Sequence, residues 1–439
     1  MVQPPARLDR AAVDSVLSEL QYDPSKASIR EVVAVINAIE SKLNFRYLRM
    51  EFGVPGMEPN PLGPEVEISY LRKPRVAGLY PPITGVPLLK EEARQFLKAF
   101  LNVDVPERFI IPTAGAMQAT FLTQAVVGRL RPERQKVIVV APCFSVQRVQ
   151  IAFLGLEEVL VDLYDRATWL LKVEELCASG SVAGILYSTP NNPSWMILTE
   201  NETRRIGEIA TKYDVVAIED AAYFSMDFRR DYSVPSEPPY PPTVARHTEN
   251  FVFALSGSKI FSYAGQRVGL AVISPALADR EFEGLGERYG YKTFLDAFVM
   301  GGLYCTTSGV SHSAQYALAA LLSKARRGEV KYLKPLMVYA ERAHALKQIL
   351  LSHGFHLVYA DDAGEPLADG FFFTFACPGF SGAELVRELI YYGISSTPLS
   401  LAGSTRTEGA RACVSMIPKE DFPVFEARIK AFRADHPST

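Results

Sequence analysis

The stretch LSGSKIFSYAGQRVG, residues 255–269, sets Lys259 directly after Ser256-Gly257-Ser258 and eight residues ahead of Arg267, with Gly265 and Gly269 close by. A lysine amine condenses with an aldehyde. Two hydroxyls and a guanidinium hold a phosphate dianion, and the planar fork of arginine suits it because it makes two charge-assisted bonds. Nearby positive charge also lowers a lysine pKa, which keeps part of the amine neutral near pH 7. The chemistry these residue types spell is imine formation with a phosphorylated aldehyde. The plainer reading is a surface lysine in a Ser/Gly loop. It leaves Arg267 unexplained, because that arginine leads straight into the apolar run VGLAVIS.

Five other places carry side chains of the same kind. In RFIIPTAGAMQATFL, Thr113, Ala114, Gly115 and Ala116 stand between a strand-like end and a helical run. Small residues there let free backbone N–H groups approach a phosphate, with the helix dipole favouring the negative charge; a simple helix start is the alternative. This is neither a P-loop nor a Rossmann fingerprint, because the lysine and glycine spacings are missing. In APCFSVQ, Phe144 can stack on a flat heteroaromatic ring, or it fills the core. In LYSTPNNPSW, the Asn192 amide can donate to a phenolate oxygen, or Asn-Pro simply makes a turn. In VVAIEDAAYF, Asp220 ends an apolar strand and Tyr223 follows three residues on. A buried carboxylate needs a partner, and a protonated pyridine nitrogen is one; an Asp capping the next helix is the alternative. In GARACVSMI, Arg411 precedes an apolar strand, where it clamps a substrate carboxylate or makes a structural ion pair.

The elements that must position these residues follow from periodicity. Helical spacing of apolar residues runs over 29–46, 87–101 and 115–129, again near 200–212 and 311–326. Between these lie short β-branched runs, KVIVVAP, AGILYSTP, DVVAIED and NFVFALSGS. Such runs read as strands buried on both faces, and the helices between them imply an α/β fold with a mostly parallel central sheet and helices on both faces. In open sheets of this kind ligands bind beyond the carboxyl ends of the strands, where the polar residues above fall. The proline-rich segment 235–250 reads as an exposed loop. Beyond about residue 330 the pattern changes: a long helix over 331–352, the strand FFFTFAC, a helix near 382–392, and GARACVSMI suggest a smaller α+β domain. The expected division is 1–50 as N-terminal helices packing with the small domain, 51–330 as the large cofactor domain, and 331–439 as the small C-terminal domain.

Composition narrows the function. The chain has 439 residues, a formal net charge of -3, 48% hydrophobic and 22% charged residues. Nothing in that balance calls for nucleic acid or an anionic membrane as partner. The N-terminus reads as a short tail and a capped amphipathic helix rather than a signal peptide, and no apolar run is long enough to span a bilayer. Five cysteines stand singly, with no paired spacing, which points away from disulfides and zinc and toward a reduced, cytoplasmic enzyme. His353 and His356 lack the further ligands that a metal site needs.

The order of these features resembles the class I/II aminotransferases, the pyridoxal-phosphate enzymes of fold type I. The likeness runs from about residue 50 to about 425, and SGSK…GQRVG is its specific part. It implies pyridoxal 5'-phosphate as cofactor, with Lys259 forming the internal aldimine and shuttling the α-proton. Asp220 would pair with the pyridine nitrogen, Asn192 and Tyr223 would bond the ring oxygen, and Phe144 would stack on the ring. Gly115, Ala116, Ser256, Ser258 and Arg267 would hold the phosphate, and Arg411 the substrate α-carboxylate. GLYPPITGVPLLKEEA is similar to the family's Tyr-containing stretch, in which the tyrosine, here Tyr80, reaches the phosphate of the neighbouring subunit; the likeness implies a homodimer with shared active sites. MEFGVPG is similar to the segment that closes over the substrate through Gly53. The implied reaction is transfer of an amino group between an L-amino acid and a 2-oxo acid through a pyridoxamine intermediate. The alternatives on the same scaffold are a carbon–sulfur β-lyase and a ligand-sensing regulatory module; the latter carries a basic DNA-binding domain ahead of the fold, and here about fifty residues without that pattern precede the likeness. Two departures stand out: Ser194-Trp195 where the family's Asn-Pro continues Thr-Gly, and Pro398-Leu399 where many members have Pro-Gly. Both fall near where the family reads the substrate side chain. Arg288 and Lys292 are candidate second cations for a dicarboxylate, or solvated surface charges.

Overall fold

The computed structural model of the chain describes residues 6–437. The short tail expected at the N-terminus, residues 1–5, lies outside the described residues. Helices α1 (Arg10–Glu19) and α2 (Ile29–Leu43) open the chain. Asp9 caps α1 by accepting from Ala12 N, and Ser28 and Glu31 close a reciprocal capping box on α2. Helix α2 stops at Leu43 rather than at 46, because Asn44 turns into the left-handed region at φ 46° and caps it. Helices α3 (Leu62–Leu71) and α4 (Pro87–Leu101) follow.

A seven-stranded sheet forms the centre. Its strands are β1 (Ile110–Thr113), β2 (Lys136–Ala141), β3 (Glu157–Asp162), β4 (Val182–Ser188), β5 (Val216–Ala221), β6 (Phe251–Ser256) and β7 (Gly269–Ile273). They lie in the order β1-β7-β6-β5-β4-β2-β3. The pairs from β6 through β3 are parallel, and β7 runs antiparallel to both β6 and β1. Strands β1 and β4 to β7 are buried along their whole length, which is why they read as continuous apolar runs rather than as alternating ones. Helix α5 (Ala116–Val127) follows β1 and α6 (Ser145–Phe153) follows β2.

A four-stranded antiparallel sheet lies further along the chain, ordered β10-β11-β9-β8, with β8 His356–Leu357, β9 Phe372–Ala376, β10 Thr397–Pro398 and β11 Ala410–Cys413. The helix expected over 331–352 spans Met337–Ser352, preceded by a 3-10 turn at Lys334–Leu336. Pro335 sits in that first turn, where its missing N–H has no intrahelical partner to lose. The N-terminal segment is tied to this part of the chain. Leu48–Arg49 pairs in parallel with Ile394–Ser395, Tyr47 donates to Ile390 O (2.7 Å), and Arg428 donates to Arg46 O (3.0 Å).

The proline-rich segment is exposed only in part. Residues 236–239 are exposed, whereas Thr243 and Val244 are buried. The Glu219 carboxylate draws them inward: it is buried in β5 and accepts from Thr243 Oγ1 (3.0 Å), Val244 N (2.9 Å) and the Tyr187 hydroxyl (2.8 Å). A buried carboxylate without such donors is costly.

Candidate active site

Sheet register brings the singled-out polar residues to one edge. At the carboxyl ends of the parallel strands Ser188 lies opposite Asp220, Asp220 opposite Ala254, and Ser256 opposite Gly269. Gly269 in turn pairs with Thr113, which leads into the Ala114–Ala116 turn. Residues far apart in sequence thus meet at one end of the sheet, where α/β sheets bind ligands.

The loops expected to cradle a phosphate meet by close approach. Gly115 sits at φ +76°, and a Cβ there would stand 2.8 Å from Arg267 Nη2. Glycine therefore serves twice, by adopting the left-handed backbone and by leaving room for the guanidinium. Arg267 donates to Ala264 O (3.0 Å) and Ala114 O (3.2 Å), which lays it across the start of α5. A Cβ at Gly269 would lie 3.0 Å from Gly115 Cα, so the second glycine of GQRVG lets the two loops touch. Ser256 Oγ accepts from Ser258 N (3.1 Å) and donates to Ser258 Oγ (2.9 Å). Ala116 is buried as the first residue of α5.

Lys259 stands in the short helical turn Gly257–Ile260 and donates to Gly53 O. Burial lowers its pKa from the usual 10.5 to about 8; the Arg267 and Arg411 charges add to the lowering, and Cys413 opposes it. Its ammonium lies 5.1 Å from the Phe371 ring centre and 5.9 Å from that of Tyr223.

Asp220 is buried, and burial raises its carboxyl from the ordinary 3.8 to about 6. Ala222 N donates to Oδ1 (3.1 Å) and Gln147 Nε2 to Oδ2 (2.8 Å), both opposing that rise. Both partners are neutral. Phe144 caps α6, half-buried, so the first turn of that helix presents Phe144 and Gln147 together. Tyr223 is buried, with Trp195 packed edge-on against it at 5.4 Å.

The Asn-Pro turn is held by Asn191, whose Oδ1 accepts from Ser194 N (3.0 Å) and Oγ (2.8 Å) while its amide donates to Pro142 O (2.8 Å). Asn192 is thereby aimed at Arg411, whose Nη1 donates to its Oδ1 at 3.4 Å. Arg411 also donates to Glu51 O and lies over the Phe372 ring at 5.0 Å, while its buried Nε has no partner. Among the described residues no carboxylate pairs with Arg411, so the structural ion pair weighed from sequence is not present. Burial without such a partner lowers its pKa. A desolvated guanidinium held only by carbonyl oxygens is poised for an incoming anion.

Two groups of candidates are not gathered in. Tyr80 is 86% exposed. Lys292 is taken up by Glu283 at 3.0 Å, and Arg288 is exposed on the neighbouring helix Glu283–Tyr289. Conversely, Gln147, Glu51 and Cys413 belong to the site and were not singled out from sequence. Cys413 carried a signal, because it follows Arg411 by two on one strand and so shares its face. Gln147 follows Phe144 by three at a helix start, which also puts the two on one side.

The residues fit a phosphorylated aldehyde with a basic ring nitrogen. The Arg267 charge acts on Lys259, whose amine has a lowered pKa, and among the described residues Asp220 has only neutral donors around a carboxylate that a cation would stabilise.

The chain belongs to the aminotransferase class I and II family, whose model matches residues 65–416. It is 26% identical to an aspartate aminotransferase of Pyrococcus horikoshii over 226 residues, 51% of this chain and 52% of that protein. It is 25% identical to aromatic-amino-acid aminotransferase 2 of Thermococcus litoralis over 46% of this chain and 54% of that protein. The matched stretch thus spans about half the length of these relatives. By fold it is similar to the aspartate aminotransferase of Thermotoga maritima, with a TM-score of 0.75, 21% identity, and coverage of 95% of this chain and 99% of that one. A Thermus thermophilus aspartate aminotransferase double mutant gives 0.76 at 16% identity, over 93% of this chain and 97% of that one.

Proposed function

We propose that this protein is a pyridoxal-phosphate-dependent aminotransferase that moves an amino group between an L-amino acid and a 2-oxo acid. The observation that carries the reading is a pair of uncompensated groups under one strap: Arg411, buried with no carboxylate partner among the described residues, and Lys259, with its pKa drawn down to about 8. Family membership supports it, as do the relatives named as aminotransferases. The β-lyase and sensor readings gain no observation in their favour.

When bound, pyridoxal phosphate supplies an aldehyde and a ring that draws electrons from the substrate α-carbon. The residues proposed to hold it are Gly115, Ala116, Ser256, Ser258 and Arg267 at the phosphate, and Phe144 on the ring. Asn192 and Tyr223 serve the ring oxygen, and Asp220 the ring nitrogen. Arg411 takes the substrate carboxylate in place of Glu51 O, which orients the α-carbon. Lys259 Nζ, released from Gly53 O, acts as nucleophile and then takes and returns the α-proton as general base; a pKa near 8 keeps a usable neutral fraction at physiological pH. Glu51 O and Gly53 O hold the two side chains until substrate replaces them.

A homodimer sharing Tyr80 across its subunits, and a cytoplasmic setting, are part of the same proposal. The high exposure of Tyr80 supports the first. Among the described residues no helix is long and apolar enough to cross a membrane. The division at about residues 50 and 330 is likewise proposed, supported by the separate four-stranded sheet and by the strand pairing of Leu48–Arg49 with Ile394–Ser395.

The test is an absorption spectrum of the purified protein with pyridoxal phosphate, titrated with single L-amino acids and then with a 2-oxo acid. The expected result is a near-visible band that shifts with an amino donor and returns with the acceptor, and that loses this response in Lys259→Ala. Retained turnover in Lys259→Ala refutes the reading.

A further inference from the structure

Trp195 carries three structural costs at once. Its backbone is left-handed, at φ +64°, a region that bulky side chains rarely adopt. Its indole Nε1 is buried with no hydrogen-bond partner among the described residues, and an unpaired buried donor is expensive. It also takes the side-chain space of residue 370, where a Cβ would lie 2.0 Å from the indole Cε2 and Nε1, so that glycine must stand there. A glycine at 195 would avoid all three. Costs of this kind persist where the surroundings enforce them, and they cluster at active sites.

The neighbours of the indole show what it does. The Trp195, Tyr223 and Phe372 rings form a triangle, with Trp195 and Phe372 each 5.4 Å from Tyr223 and 6.2 Å from one another, every pair meeting edge-on. Phe371 adds a fourth ring, 5.4 Å from that of Tyr223. The Tyr223 hydroxyl makes no hydrogen bond among the described residues, so ring packing alone sets its place. That place borders the strap and the lysine. A Cβ at Gly53 would stand 3.0 Å from Phe372 Cζ and 3.9 Å from the Tyr223 hydroxyl, and Lys259 Nζ lies 5.9 Å from the Tyr223 ring centre. Trp195 cannot yield in turn. Its backbone N donates to Asn191 O (2.9 Å), closing the turn that carries Asn192, and the backbone of Gly370 lies against its indole.

We propose that Trp195 is a positioning residue for the cofactor ring oxygen: its indole backs the Tyr223 ring and holds the hydroxyl where it donates to that oxygen. This rests on the aminotransferase reading above and adds a residue to its site. Tyr223 makes the contact, and Trp195 acts only through it.

The experiment reads the pH midpoint of the near-visible band of protein loaded with pyridoxal phosphate. It compares wild type, Tyr223→Phe, Trp195→Leu, Trp195→Phe, and each Trp195 variant combined with Tyr223→Phe. A hydrogen bond to the ring oxygen favours its anionic form, so losing the donor raises the midpoint. Tyr223→Phe is expected to raise it by about 1–2 pH units, the worth of one hydrogen bond to a charged group. Trp195→Leu raises it by less than that, and Trp195→Phe, which keeps a ring, by less again. In the Tyr223→Phe background neither Trp195 variant adds a shift, because the hydroxyl it would misplace is gone. Lys259, Asp220, Arg411 and Cys413, the charged or titratable groups beside Tyr223, stay in every variant, so their effects cancel. A residue that only packs would lower the urea unfolding midpoint and leave the band alone. If Trp195→Leu does not fold, Trp195→Phe carries the test. Three results overturn the role of Trp195 and leave the aminotransferase reading standing: Trp195 variants within about 0.2 pH unit of wild type, a full-sized shift that survives in the Tyr223→Phe background, or a midpoint that Tyr223→Phe does not move. A folded wild type that gives no near-visible band with pyridoxal phosphate overturns both.

Discussion

Asp220 offers a sharp physical test, because its charge is a liability in the cofactor-free protein and an asset in the loaded one. Its carboxyl rises from 3.8 to about 6, with burial as the largest cause, and no cation among the described residues offsets that burial. Folded protein therefore binds more protons at Asp220 than unfolded protein between about pH 4 and pH 6. Stability must fall as pH rises through that window, and the cost is fully present above it. A rise from 3.8 to about 6 corresponds to roughly 3 kcal/mol. Asp220→Asn removes the charge and keeps a carbonyl acceptor, and the Gln147 amide can turn over to meet the new NH2 group. Cofactor-free Asp220→Asn is thus expected to be more stable than cofactor-free wild type by about 1–3 kcal/mol at pH 8, allowing for one weakened hydrogen bond. The gain should vanish near pH 4. Paired urea unfolding curves at both pH values measure it, and shifts from other carboxylates cancel in the difference. With pyridoxal phosphate bound the order should reverse, because the variant cannot pair with a ring cation. A cofactor-free variant that is less stable than wild type at pH 8, or a gap independent of pH, refutes the argument.

Other consequences are open to measurement. The rate at which cofactor-free protein captures pyridoxal phosphate should rise about tenfold per pH unit up to about 8 and then level off, because only neutral Lys259 attacks; stopped-flow absorbance reads it, and a midpoint near 10.5 contradicts the burial of the amine. Gly115→Ala forces a side chain into φ +76° and 2.8 Å from Arg267 Nη2. It should cost about 1–2 kcal/mol of stability and weaken pyridoxal phosphate binding in an equilibrium titration, and an unchanged affinity counts against the cradle. Asp362 accepts from Arg166 (2.5 Å), Arg229 (2.8 Å) and Ile197 N (3.1 Å), joining the chain just after Trp195 to residues before β9. Asp362→Ala should lower the unfolding free energy by about 3 kcal/mol, the low end for a broken buried ion pair, since both arginines keep a second acid; a loss below about 1 kcal/mol shows the network to be dispensable.

The candidate residues were legible where a local pattern carried the chemistry. Ser256, Ser258, Lys259 and Arg267 fall within twelve residues, and strand-end polar positions marked Asp220 and Asn192 because buried parallel strands read as apolar runs with abrupt ends. Glu51 was not legible, because its contribution is a backbone carbonyl, which any residue supplies. Trp195 was visible as a departure, but its meaning came from Gly370, where a Cβ would lie 2.0 Å from the indole, and from the ring of Tyr223 that it backs.

What the sequence by itself determined is the set of strands and helices, the polar residues at their ends, and the glycines that permit close approach. These depend on periodicity and on backbone freedom, which act over a few residues. What only the tertiary structure decided is the electrostatic state of the site. That among the described residues Asp220 meets only neutral donors, that Arg411 meets carbonyls and no carboxylate, and that the Lys259 pKa falls to about 8 all depend on burial and on neighbours up to 360 residues away in the chain. The cost of a charge is set by the groups that surround it in space, and chain order does not specify those until the fold has formed.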